Sequence, residues 1–222
     1  MTETDLLGPT LPKTEREVRA AMIMTLFGAF GRAGTSAPLG NDTDSELLQS
    51  LRSWADIIIV SAGTARAEEY GPSDTPLAIL TRSFDLDPGL GLFRSAPPLI
   101  LTPEPLLTDD SVAHARTQLE SAGATIVGVG SGSAPEVVAT LHARGYQRIA
   151  CEGGPSVYAD MIANDQLDVV HLTVEPTAAH TDGPWGLDGL TEGPDFLARF
   201  ALEHTHATAD STLFLRYRNM RD

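Results

Sequence analysis

The sequence has one cysteine, Cys151, among 222 residues. That excludes a disulfide within the chain and a multi-cysteine zinc site. A lone thiol at the end of the apolar run "RIAC" reads as buried and inert. Basic residues are scarce too. Fifteen Lys and Arg face 30 Asp and Glu, for a formal charge of −15 and a pI near 4.6. A field of that sign excludes nucleic acid and anionic membranes as partners, though a local cluster of donors can still hold a small anion. Long apolar runs are missing, against the roughly 20 residues that a membrane span needs. The opening "MTETDLLGPTLPKTEREVR" has no apolar segment flanked by basic residues, so no signal peptide is expected and the expected location is cytoplasmic. There is no internal repeat, no low-complexity segment, and no G-x-S-x-G, H-E-x-x-H or Walker motif. What is there suits a globular chain: 42% hydrophobic and 20% charged residues, with length for a core that buries about 70% of the unfolded chain's surface.

Polar residues with Pro9 and Pro12 make residues 1–15 read as a flexible arm, followed by one domain over 16–222. The run "VRAAMIMTLFG" (18–28) reads as a buried strand, and "GRAGTSAPLGN" as a glycine-rich loop. Leu47, Leu48, Leu51 and Trp54 recur at helical spacing behind the capping residues Asn41 to Thr43. Then "DIIIVSAG" is a short continuous apolar strand of the kind covered on both faces of a sheet. Further strands are expected at 76–81, 98–102, 124–129, 147–151 and 167–176, with helices at 110–121, 135–143 and 155–164. The tail "FALEHTHATADSTLFLRYR" reads as a hairpin. Alternating strands and helices that end in two adjacent strands predict an α/β fold with a largely parallel sheet and an antiparallel edge.

Three turns carry candidate chemistry. "CEGGPS" (151–156) follows a strand and opens a helix. Free N–H groups at a helix start attract phosphate, Gly153 and Gly154 let it come close, Pro155 suits the first helical position, and Ser156 adds a hydroxyl. The alternative is a tight turn with no ligand. Glu152 beside it would repel a phosphate, so it is expected to face a second, uncharged ligand or to cap backbone donors. In "SAGTARAEE", Gly63, Thr64 and Arg66 offer a close backbone, a hydroxyl and an anion fork, unless Arg66 merely pairs with Glu68 or Glu69 on the surface. "TRS" (Thr81, Arg82, Ser83) ends a strand as an arginine with flanking hydroxyls, a set that holds the 2′-phosphate of NADP, or else a solvated turn. "GVGSGS" (128–133) fails the G-x-G-x-x-G spacing and reads as a loop in which Ser133 caps the next helix, with phosphate binding by a glycine loop before a helix as the alternative. His204 and His206 share one face of a strand without a third ligand, so a solvated edge is expected and no metal.

Taken in order, "LRSWADIIIVSAGTARAEEYGP", "CEGGPSVYADMIANDQLDVVHLTVEP" and "STLFLRYR" resemble the pyrimidine reductase family of riboflavin biosynthesis over about residues 18–218. The resemblance implies a dihydrofolate-reductase-like three-layer αβα fold, with a mixed, mostly parallel sheet and a C-terminal antiparallel hairpin. It also implies NADPH as hydride donor, a small-molecule substrate and a homodimer. By the same resemblance Gly63, Thr64 and Arg66 lie along the cofactor, Thr81, Arg82 and Ser83 near its adenosine, and Gly153, Gly154, Pro155 and Ser156 at its pyrophosphate. Glu152 becomes the candidate catalytic group, and Thr25, Phe27 and Asn41 the candidate substrate contacts. One departure stands out. The family's S-x-D-G reads "TLFG" here, so Phe27 replaces an acid. Phenylalanine cannot accept from ring N–H groups, and it implies a changed substrate with a ring stacked on Phe27. The alternatives are an NADP(H)-binding dimer without turnover and an enzyme of the dihydrofolate reductase kind.

Overall fold

The computed structural model describes residues 6–32, 34–179 and 197–221. Its elements are β1 (Glu17–Thr25), α1 (Asp42–Trp54), β2 (Ile57–Ser61), α2 (Ala62–Ala67), β3 (Leu77–Leu80), β4 (Leu99–Thr102), α3 (Ala113–Ser121), β5 (Thr125–Gly128), α4 (Ala134–Ala143), β6 (Arg148–Cys151), α5 (Pro155–Ala163), β7 (Val169–Glu175), β8 (Phe200–Ala207) and β9 (Leu213–Asn219). The strands form one sheet in the order β5-β4-β3-β2-β6-β1-β7-β9-β8. All neighbours from β5 to β7 run parallel, while β9 runs antiparallel to β7 and β8 to β9. This is the α/β architecture with a C-terminal hairpin that the alternation of segments predicts.

Successive side chains of a strand point to opposite faces, and both faces here are covered. On one face Val18, Ala20, Ile57, Ile59 and Ile149 pack with Val137 and Leu141 of α4 and Val157 and Met161 of α5. On the other, Ile58, Val60, Ile79 and Ile100 pack with Ala62 and Ala65 of α2 and Leu119 of α3. Leu47, Leu51 and Trp54 of α1 continue that second layer over Phe214 of β9. The continuous apolar runs of the central strands follow from this double covering.

Of the expected arm, residues 1–5 lie outside the described residues and Pro9 to Arg16 are exposed. Leu6 is buried against α1. Arg19, fully buried on β1, donates to the carbonyls of Leu7 and Pro9 at 2.7 and 2.6 Å. Arg148 donates to Leu11 O, and Arg216 to Leu6 O. A buried guanidinium has five N–H groups to satisfy, and Glu17 takes only part of those of Arg19. The carbonyls of Leu7 and Pro9 take two more. The indole of Trp54 lies between Arg19 and Arg148, 4.7 and 5.6 Å from their guanidinium carbons.

Candidate active site

The site begins where β6 ends. Cys151, its last residue, pairs with Ala20, whereas β1 runs on beside β7 to Thr25. Beyond Ala20, β1 therefore has no strand on its β6 side. The hydroxyl of Tyr158 fills the first gap in the ladder by donating to Ala21 O. The opening that follows is a cleft of about 390 Å³ at the carboxyl ends of β1, β2, β6 and β7. Open parallel sheets bind ligands at such a crevice.

One wall is made by two strand-to-helix turns. Ser61 ends β2, and its hydroxyl accepts from Thr64 N and Gly154 N while contacting the Thr64 hydroxyl at 3.0 Å. Ser61 N in turn donates to Gly153 O at 2.6 Å. The turn 152–155 is thereby sewn to the start of α2. The close approach explains two of the glycines. A Cβ on Gly154 would lie 2.5 Å from Thr64 Oγ1, and one on Gly153, whose φ is +78°, would run into the Tyr158 ring. Gly63, Thr64, Gly154 and Pro155 line the cleft together.

Three carboxylates also line it, in different states. Glu152 is fully engaged. Arg52 reaches across from α1 and binds it with Nε and Nη2, both at 2.7 Å, and the Tyr70 hydroxyl donates to Oε2. Glu68 accepts from Ser36 N at 2.6 Å, which ties the end of α2 to the glycine-rich loop. Asp44, in the first turn of α1, is paired with no Lys or Arg among the described residues. Its carboxylate accepts from the Thr173 hydroxyl at 2.6 Å. Burial raises its pKa, and the Thr173 hydrogen bond offsets only part of that rise. Asn41 fixes Asp44 in place, because its side chain caps α1 by accepting from Asp44 N.

His171 lies two residues before Thr173 on the same face of β7. It lines the cleft, is 2% exposed, and its Nε2 has no hydrogen-bond partner among the described residues. Burial, together with the positive charges of Arg19 and Arg216, pushes its pKa down to about 3, so the ring is neutral at ordinary pH. Apolar groups complete this half of the cleft: Met22 and Ile23 of β1, Leu47 and Leu48 of α1, and Phe30, whose ring is tilted on Tyr158 at 6.0 Å.

The sequence of the RibD C-terminal domain family matches residues 16–214. The chain belongs to that family. It is similar over 100% of both chains to a pyrimidine reductase-like protein of Corynebacterium diphtheriae, at 30% identity and a TM-score of 0.87. Two relatives below 20% identity share the fold. RibD of Acinetobacter baumannii matches at 14% identity and a TM-score of 0.74, over 94% of this chain and 59% of that one. Dihydrofolate reductase of Enterococcus faecalis, solved with NADP(H), matches at 12% identity and 0.54, over 92% and 97%. No curated protein matches the sequence.

The expected site residues lie in three places. Gly63, Thr64, Glu152, Gly154 and Pro155 come together in the cleft, with Gly153 buried behind it and Ser156 exposed on α5. Thr25, Phe27 and Asn41 do not line it. Residues 25–29 close on themselves: Thr25 N donates to Ala29 O and Gly28 N to Thr25 O, with Gly28 at φ +87°. Phe27 rides the tip of that turn, 72% exposed, so no ring stacks on it in the cleft. Asn41 spends its amide on Asp210 of the β8–β9 turn. Arg66, Thr81, Arg82 and Ser83 gather at another place, around the turn after β3. Thr81 Oγ1 accepts from Phe84 N, Ser83 Oγ accepts from Asp85 N, and Arg66 pairs with Asp85 rather than with Glu68 or Glu69. Arg82 reaches toward Ser131 O at 3.5 Å. The glycine loop beside it holds an anion of the chain's own. Glu136 accepts from the backbone N–H and the hydroxyl of both Ser131 and Ser133, which holds its pKa down to about 2. Among the described residues no group of His, Cys, Asp and Glu is placed to hold a metal ion.

Asp44, Thr173, His171 and Tyr70 escaped sequence reasoning. Asp44 was visible only as one of several acids in "NDTDSE", where a helix start explains acids without any ligand. Its pairing with Thr173, 129 positions away, is set by the packing of α1 on β7.

Proposed function

We propose that the chain is an NADPH-dependent reductase that passes hydride to a carbonyl or imine carbon of a small pyrimidine- or pterin-like ring. The single observation that carries this reading is Asp44: a half-buried carboxyl of raised pKa, held by Thr173 and paired with no cation among the described residues, in the cleft beside a glycine turn at a helix start. The family and the pyrimidine reductase-like, RibD and dihydrofolate reductase neighbours support the reaction class.

The donor set fits the cofactor. The first turn of α5 presents Gly154 and Pro155, and the Ser61 and Thr64 hydroxyls stand beside them, which suits a pyrophosphate. Arg82, Ser83 and Arg66 lie at one turn, as an adenosine 2′-phosphate would require. When bound, NADPH supplies the hydride, and the chain supplies position and electrostatics. In its protonated form, which burial favours, Asp44 gives its proton to the substrate's imine nitrogen or carbonyl oxygen as the hydride reaches the carbon, and the carboxylate left behind accepts from the amino or ring N–H edge. Thr173 holds that carboxyl in one orientation. Phe30, Leu47 and Leu48 exclude water from the ring. Glu152 is a positioning residue in this reading, since Arg52 and Tyr70 already occupy both of its oxygens. The reading includes a homodimer that covers the outer strand β8, where Leu202 is 54% exposed.

The test is NADPH consumption over a panel of pyrimidine and pterin compounds. Asp44→Asn keeps the size of the side chain but not its acid. The expected result is a kcat lower by about 10²–10⁴-fold with NADPH affinity unchanged. An unchanged kcat would remove Asp44, and the mechanism with it.

A further inference from the structure

The charge of the cleft sorts its substrates. Every charged side chain that lines it is a carboxylate: Asp44, Glu68 and Glu152. Among the described residues no Lys or Arg lines it. The remaining segments add none, because residues 1–5, Ala33, "HTDGPWGLDGLTEGPDF" (180–196) and Asp222 contain neither Lys nor Arg. Lys13 is the single lysine of the chain. The arginines near the cleft have other work. Arg52 is bound twice to Glu152, Arg66 pairs with Asp85, and Arg19 is bound to Glu17 and two carbonyls. Arg32 lines a separate hollow with Glu175 and Thr177.

A phosphate monoester carries a charge of about −1.5 to −2 at neutral pH and calls for guanidinium, ammonium or several convergent N–H donors. The Asp44 half of the cleft has none of these. It offers a carboxylate, a threonine hydroxyl, apolar walls, and the unpartnered Nε2 of a buried histidine. Like charges in a partly desolvated site repel with little screening. We infer that this half takes a flat nitrogen heterocycle, neutral or cationic, that carries no phosphate. Asp44 recognises its N–H edge, His171 sits in the same polar floor, and Met22, Phe30, Leu47 and Leu48 hold its faces. The inference rests on the reductase reading, since the anionic cofactor belongs at the α5 end of the cleft.

The experiment is calorimetric titration of the wild-type protein, first with NADPH and then, in the loaded state, with a ribosylaminopyrimidine and separately its 5′-phosphate. The unphosphorylated compound is expected to bind at least tenfold tighter. Leu48→Arg places a cation on the partly exposed wall, and it should erase or reverse that preference while leaving NADPH affinity in place. Equal or tighter binding of the phosphate by the wild-type protein would overturn the inference. So would a loaded protein that binds neither compound. Failure to bind NADPH at the first step would instead strike the reductase reading on which the inference stands.

Discussion

His171 shows how far one side chain is governed by its neighbours. It pairs in register with Ala21 on one side and Arg216 on the other, and it has no carboxylate to stabilise a proton. An unfolded histidine titrates near 6.5 and the folded one near about 3. Between those values only the unfolded chain binds the proton, so stability falls as pH drops through that window, by up to ~1.4 kcal/mol per pH unit, and is flat above it. Urea unfolding at about pH 5 and about pH 7 should therefore show a smaller pH effect in His171→Gln than in the wild type. Equal effects would mean that the folded imidazole accepts the proton. The acids show what a sequence can and cannot reveal. Glu152 was legible as the acid beside the glycine turn, and it does line the cleft. Its partners were not legible, because Arg52 and Tyr70 come from 100 and 82 positions away. Phe27 misled for a similar reason. A motif position tells which residue replaces an acid but not that the turn carrying it folds outward.

At the scale of elements, periodicity was enough for nearly every strand and helix, and the bounds differ by one to three residues. The exception is α2. Its six residues, "AGTARA", are too few to show a helical period, and only the Ser61 cap marks their start. The ties of the arm are not legible in the sequence, because the arginines that bind its carbonyls lie on three different strands. The element that matters most to the site is α1. Asn41 caps it and also donates to Asp210, so the β8–β9 hairpin turn and the helix that bears Asp44 are held together. Asn41→Ala should cost about 1 kcal/mol, seen as a lower urea midpoint with an unchanged slope, and Asn41→Ser should recover most of it. No loss in Asn41→Ala would show that the Thr173 bond alone secures the start of the helix.

For the whole molecule, the sheet order decides where chemistry can occur. Because β6 lies between β1 and β2 and stops short, a cleft opens at the middle of the sheet with helices of both layers around it. One end of that cleft is a glycine turn at a helix start, and the other is the half-buried acid Asp44. A molecule with a formal charge of −15 repels anions at long range, so a dinucleotide can be held only by local donors that outweigh the net field. Titration with NADPH and separately NADH, followed by nicotinamide fluorescence, measures that balance. The expected result is saturable binding of NADPH, a clear preference over NADH that is lost in Arg82→Ala, and weaker binding of both in Gly154→Ala, where the new Cβ meets Thr64. Absence of binding, or binding indifferent to the Gly154 turn, would contradict it.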